Sequence, residues 1–142
     1  MRIAYPCTIT HEDNGKFLVI FPDFKEAFTE GETYEEALFN GEEVLTLTLE
    51  GRMAEKIDIP LPPAIIGKDD IFLFPASRVQ AALLVKFNRG NSTLADLARF
   101  LETSWPSVAR LENPHHWGSL KQLSKAAAAL GQKLVLSFEK AS

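Results

Sequence analysis

The sequence predicts an α+β protein in two parts. A small layer of strands and one helix comes first, and an all-helical bundle with a closing strand follows. Three observations carry this expectation. The hydrophobic period changes from alternation near the N-terminus to helical spacing in the second half. A proline-rich stretch, "PLPPAIIGKDD" at 60–70, lies between the two textures. The charge changes sign across it: residues 1–66 hold five Lys or Arg against thirteen Asp or Glu, a net −8, and residues 67–142 hold ten against six, a net +4. The expected division is 1–62 for the α+β part, 63–75 for a linker with a short strand, and 76–142 for the helical part. Halves of opposite sign imply two binding tasks with oppositely charged partners; a drift of charge along a solvated surface is the plainer alternative.

Each element has a local reason. In "RIAYPCTIT", residues 2–10, Ile3, Tyr5, Cys7 and Ile9 share one face of a strand. Pro6 cannot donate to a ladder, so a free edge or a bulge is expected there. Asn14-Gly15 signals a hairpin turn. "KFLVIF" at 16–21 is apolar on both faces and predicts a central strand, and "EAFTE" at 26–30 a short third one. Thr33 with Glu36 fits a capping box. Tyr34, Leu38, Gly41, Leu45 and Leu49 then form one helical stripe, with Glu35, Glu42 and Glu43 opposite and Gly51 at the expected end. "KIDIPL" at 56–61 alternates and predicts a fourth strand. "IFLF" at 71–74 fits a further short strand.

The second half is helical. Val79, Leu83 and Phe87 mark one stripe, with Gly90 near its end. Thr93 is a cap for "LADLARFLE". Ser104 is a cap for "SWPSVARLEN", where Pro106 is tolerated because first-turn N–H groups have no helical partner. Ser119 with Gln122 is a second capping box. "KLVLSFE" closes the chain as a strand with Leu134, Leu136 and Phe138 on one face, placed to pair with a second copy, to cover the bundle or to return to its own sheet.

The pair of short helices at 94–113 raises a functional expectation. A DNA-reading helix-turn-helix needs a small residue midway along the first helix, a tight connection, and inward apolar residues in the second. Ala98, the connection Glu102–Ser104, and Val108 with Leu111 meet those needs, although Glu102 stands where a glycine is common. Trp105, Ala109, Arg110 and Asn113 are left outside. Arg99, Lys121 and Lys125 are in reach of phosphates. A plain helical corner or a dimerisation bundle is the alternative.

Other classes are disfavoured. With 46% apolar and 24% charged residues the composition is that of a globular protein. No apolar run long enough to span a membrane occurs, and the N-terminus lacks the apolar core of a secretory signal. The single cysteine, Cys7, forms no internal disulfide, which fits a cytoplasmic home. Cys7 with His11 as nucleophile and base is set aside because Cys7 falls on the buried face of its strand. His115-His116 lack clustered co-ligands for a metal, and Asp23 alone does not make a nuclease centre. A non-enzyme without cofactor or metal is expected.

"FPDFKEAFTEGETYEEALFNGEEVL" resembles the HicB antitoxins of type II toxin–antitoxin systems, with a Phe-Pro-Asp step and then Gly-x-Thr-x-Glu-Glu-Ala opening the helix. "LADLARFL…VARL…LKQLSKAAAALGQKLVLSF" is similar to the C-terminal helix-turn-helix carried by one branch of that family. The resemblance spans residues 3–138. "FKEAF" at 24–28 departs from the small Gly-Cys turn common there. The resemblance implies a partial RNase H-like βββαβ fold without nuclease activity in the first half. It implies a partner, HicA, a small basic mRNA-cleaving toxin whose active site that half covers, and repression of the shared operon by the second half.

An acidic surface competes for the phosphate-binding face of such a toxin and speeds association. Asp23, Phe24, Phe28, Glu35, Glu42 and Glu43 are the expected toxin contacts. Ser104, Trp105, Ser107, Arg110 and Asn113 are the expected base or near-base contacts, supported by Thr93, Arg99 and Lys121; Arg110 leads, because guanine is the commonest arginine target. Self-association as a dimer or higher is expected, since one small DNA-binding module binds weakly. A stand-alone transcription regulator, with an acidic domain sensing a ligand or protein, is the alternative.

Overall fold

The computed structural model describes residues 1–63 and 71–139. The chain divides into two compact units, Met1–Ala76 and the residues from Ser77 onward.

In the first unit β1 (Tyr5–His11), β2 (Phe17–Ile20), β3 (Phe28–Gly31) and β4 (Ile71–Leu73) form one antiparallel sheet, in the order β3-β2-β1-β4. The β1–β2 turn forms where Gly15 adopts φ +86°, with its N–H donating to the Glu12 carbonyl at 2.9 Å. That left-handed conformation is cheap only for glycine. The β1–β2 ladder begins at Thr8↔Ile20, beyond Pro6, so the missing donor of Pro6 disturbs no bond on that side. On the other side Tyr5–Cys7 pair with Ile71–Leu73.

α1 (Tyr34–Glu55) starts at Thr33, whose hydroxyl accepts from the Glu36 N–H at 3.1 Å. It buries Ala37, Leu38, Gly41, Leu45 and Leu49 against the sheet face that carries Val19 and Leu73. Full burial of each large aliphatic side chain contributes about 1.5–3 kcal/mol. Gly41 sets the approach: a Cβ there would stand 2.7 Å from Leu73 Cδ1 and 3.4 Å from Val19 Cγ1.

Arg52 ties this unit together. Its guanidinium donates twice to Glu26, at 2.8 Å each, and once to the Asp58 carbonyl at 2.8 Å, while lying 4.8 Å from the Phe24 ring centre. The hydrogen bonds from Arg52 hold the Glu26 carboxyl down from 4.5 to about 2. A depressed carboxylate contributes stability above its unfolded value and loses it as pH falls toward the folded one. Arg52→Ala is expected to cost about 1–2 kcal/mol at neutral pH, since Glu26 is half exposed and partly screened. Urea titrations should show the mutant's deficit shrinking between pH 4.5 and about 2. A deficit constant across that window contradicts the assignment.

The second unit holds α2 (Ser77–Arg89), α3 (Leu94–Phe100), α4 (Trp105–Leu111) and α5 (Leu120–Ala129). Capping boxes start α3 at Thr93 with Asp96 and α5 at Ser119 with Gln122. Gly90 and Gly131 follow α2 and α5 with positive φ, as helix-ending glycines do. The core joins Val85 of α2, Leu97 and Ala98 of α3, Val108 and Leu111 of α4, and Ala126 of α5.

The structure corrects three expectations. Residues 56–61 do not form a strand: Lys56 reverses the chain at φ +57°, and Tyr5 Oη donates to the Pro60 carbonyl at 2.7 Å. The fourth strand of the sheet is instead the short one expected within 71–74, Ile71–Leu73; residues 64–70 lie outside the described residues. Gly51 does not end α1, which continues to Glu55, because one exposed glycine weakens a helix by about 1 kcal/mol without stopping it. Finally, the terminal strand is absent among the described residues. Val135, Leu136 and Phe138 are exposed.

Candidate nucleic-acid and partner interfaces

α3 and α4 meet in a tight corner. The Thr103 N–H donates to the Ala98 carbonyl at 3.0 Å and the Glu102 N–H to Arg99 at 3.2 Å. Glu102 itself takes φ +51°. The position that suggested a missing glycine in the sequence is therefore the left-handed residue of the turn, and a side chain there carries about 1 kcal/mol of strain. Glu102→Gly is expected to hold or raise stability, by up to about 1 kcal/mol, although glycine usually destabilises. A thermal or urea midpoint corresponding to a loss above about 1 kcal/mol contradicts this reading of the turn.

The outward side of α4 carries Ser104, Trp105 and Arg110, all exposed, with Ser107 half-buried. The Ser104 hydroxyl accepts from the Ser107 N–H at 3.3 Å and lies 2.9 Å from the Ser107 hydroxyl. Trp105 is 55% exposed and so is not part of the core. Other expected contacts have local duties. Thr93 caps α3, and Arg99 is paired with Asp96 one turn earlier. Asn113 Oδ1 accepts from the His115 N–H at 2.9 Å, which fixes the loop after α4. Arg99, Arg110, Lys121, Lys125 and Lys133 are exposed cations of this unit.

Two contacts in this unit were not legible in the sequence. Arg89 of α2 holds Glu112, just past α4, by two bonds of 2.6 and 2.9 Å, and the pairing raises the arginine's pKa further. Arg78 donates to the Pro114 carbonyl at 2.7 Å. Both fasten the end of α4 to α2.

The expected toxin contacts do not converge on one surface. Glu35, Glu42 and Glu43 lie exposed on α1, and partial burial raises the Glu42 carboxyl. Phe28, 62% exposed, pairs with Ile20 on the sheet face turned away from α1. Phe24 is fully buried, edge-on to Tyr5 at 4.9 Å, and is no surface contact: it fills the turn at 21–27 from inside. Asp23 is half-buried near Tyr5, whose hydroxyl is pushed up by burial and then by that carboxylate.

Cys7 is 5% exposed, and burial pushes its thiol up to about 11, so at neutral pH it is a small apolar core group. His11 stacks on Phe17 at 4.3 Å. No group of three metal-ligating side chains occurs among the described residues, and no helix among them is long and apolar enough to cross a membrane.

Comparison with known proteins places these features in a family. Residues 4–78 match the model of the HicB-like antitoxin of bacterial toxin–antitoxin systems. The chain is 32% identical over 135 residues to antitoxin HicB of Escherichia coli K12, covering 94% of this chain and 98% of that protein. It is 34% identical over 140 residues to antitoxin HicB 1 of Photorhabdus laumondii, covering 97% of this chain and 88% of that one. Among solved structures, the N-terminal domain of Burkholderia pseudomallei antitoxin HicB aligns with 18% identity and a TM-score of 0.41, over 49% of this chain and 91% of that domain. With the family model matching more than half of its length and such relatives matching nearly all of it, the chain belongs to the HicB-like antitoxin family.

Proposed function

We propose that the protein is a two-part antitoxin: its first unit binds and blocks a small basic HicA-like mRNA-cleaving toxin, and its second represses the shared operon. The observation that carries this reading is similarity to antitoxins over both halves of the chain at once. The charge division supports it, with −8 before residue 67 and +4 after. The first unit, in this reading a partial RNase H-like fold without catalysis, offers an acidic surface to a protein that binds phosphates. The α3–α4 corner acts as a helix-turn-helix with α4 in the major groove. Arg110 reads a base edge beside Ser104, Trp105 and Ser107, and Arg99 and Lys121 meet phosphates. The protein works in the cytoplasm, where its RNA-cleaving partner and its operator lie.

DNA binding by this module requires two copies. The unpaired, apolar segment 133–138 supplies the means, by adding strand to strand between chains.

The test is growth. The reading predicts a small basic protein encoded beside this gene whose expression arrests cells, with co-expression of the full chain restoring them; arrest that persists overturns the antitoxin reading. Arg110→Ala should weaken operator binding by about 1–3 kcal/mol in a titration, with rescue of growth unchanged. Loss of both together contradicts a division of labour between the units.

A further inference from the structure

We infer that the outer face of α1 is the docking ridge for the basic toxin, with Phe39 and Leu47 as its anchors. The inference rests on the antitoxin reading above and names the surface that performs it.

α1 buries one stripe against the sheet. Opposite that stripe, Glu36, Phe39, Glu43 and Leu47 follow at spacings of three, four and four, a second continuous helical line. Phe39 is 61% exposed and Leu47 66%. A solvated helix face has no use for two large apolar side chains about 12 Å apart along the axis. Apolar anchors separated and rimmed by charge are the anatomy of a protein interface.

Charge selects the occupant. Before Arg52, α1 carries five glutamates, Glu35, Glu36, Glu42, Glu43 and Glu50, and no Lys or Arg. Nucleic acid and anionic lipid are repelled by such a face. A second copy docking α1 on α1 would set Glu36 and Glu43 against their own kind. A basic protein gains at both the anchors and the carboxylates. The sheet face with Ile20 and Phe28 is also exposed, but it carries less charge: Glu30, on the edge strand, is paired with Lys16 at 3.2 Å. Nothing there favours a basic partner.

The experiment is calorimetric titration of the full chain with a HicA-like toxin, the basic partner that the antitoxin reading predicts beside its gene. Phe39→Ser with Leu47→Ser should weaken binding roughly 30-fold. Glu36→Lys with Glu43→Lys, which removes no apolar contact, should weaken it roughly tenfold and flatten its salt dependence. Ile20→Thr with Phe28→Thr should bind within about threefold of the parent. Helical circular dichroism verifies that each variant is folded, and the charge pair stands as the test should the serine pair unfold. Parent-like binding by folded α1 variants, or loss in the sheet variant alone, overturns the ridge while the antitoxin reading stands. No binding by the parent chain overturns both.

Discussion

Gly31→Ala is expected to unfold the first unit and abolish toxin capture while leaving DNA binding in place. Gly31 ends β3 and leads into the first turn of α1. A Cβ at this position would meet Ala37 N at 2.4 Å, Ala37 Cα at 2.8 Å and the Glu36 carbonyl carbon at 2.9 Å. These are backbone atoms of the first helical turn, held by the Thr33 cap and by the bond from Ala37 N to the Thr33 carbonyl at 2.9 Å. A side-chain tip can swing aside; this turn cannot move without releasing its cap. The expected cost is about 3 kcal/mol or more, at the upper end of overpacking effects. That is a large share of the stability of a unit this small. Differential scanning calorimetry should show the transition of the first unit lost or shifted strongly downward. A variant as stable as the parent would mean that β3 and α1 do not approach this closely.

Leu97→Ala is the counterpart in the second unit. Leu97 is 1% exposed and packs with Val85, Val108, Leu111 and Ala126 at the point where four helices meet. Truncating a buried leucine costs about 2–5 kcal/mol, depending on how far the surroundings collapse. Collapse is limited here. α3 and α4 have seven residues each, fixed by caps at both ends and by the turn at Glu102. The variant should lose operator binding and keep its grip on the basic partner, the mirror image of Gly31→Ala. Measuring both ligands with both variants makes a crossed test of the two-unit account. Loss of toxin binding in Leu97→Ala would break it.

The contrast between what could and could not be read from the sequence follows from the range of the forces. Caps, turns and helical stripes are settled within four residues. Asn14-Gly15, Thr93, Ser104 and Ser119 act as their spacing predicts, and Thr33 caps α1 through its own hydroxyl alone, without the return bond from Glu36 that a capping box needs. Alternation is weaker evidence, because it shows that one side of a segment meets something and not that a ladder forms. Residues 56–61 alternate, yet they follow a left-handed Lys56 and are held through the Pro60 carbonyl. The short segment Ile71–Leu73 pairs with β1 at Tyr5–Cys7 instead.

Residues 133–138 alternate too, yet they form no strand.

Pairing between distant charges left no trace in the sequence. Arg52–Glu26 and Arg89–Glu112 are separated by 26 and 23 positions, and nothing local distinguishes those carboxylates from their neighbours. Phe24 misled because an aromatic in a turn reads as exposed, whereas here the turn folds over it and Arg52 lies against its ring. The line Glu36, Phe39, Glu43 and Leu47 was open to inspection all along. Glu43 already stands among the expected toxin contacts, but Phe39 and Leu47 do not, because only the structure shows that these two large apolar residues are exposed.

The most direct test of the central claim is recovery of the tagged full chain from its native cells, with the mass and identity of what accompanies it. One small, basic, stoichiometric protein is expected, encoded beside this gene and toxic when expressed alone. That protein should be released by the α1 variants and retained by Arg110→Ala. Recovery of the chain with operator DNA and without such a protein, from cells expressing both genes, would contradict it and leave a stand-alone transcription regulator in its place.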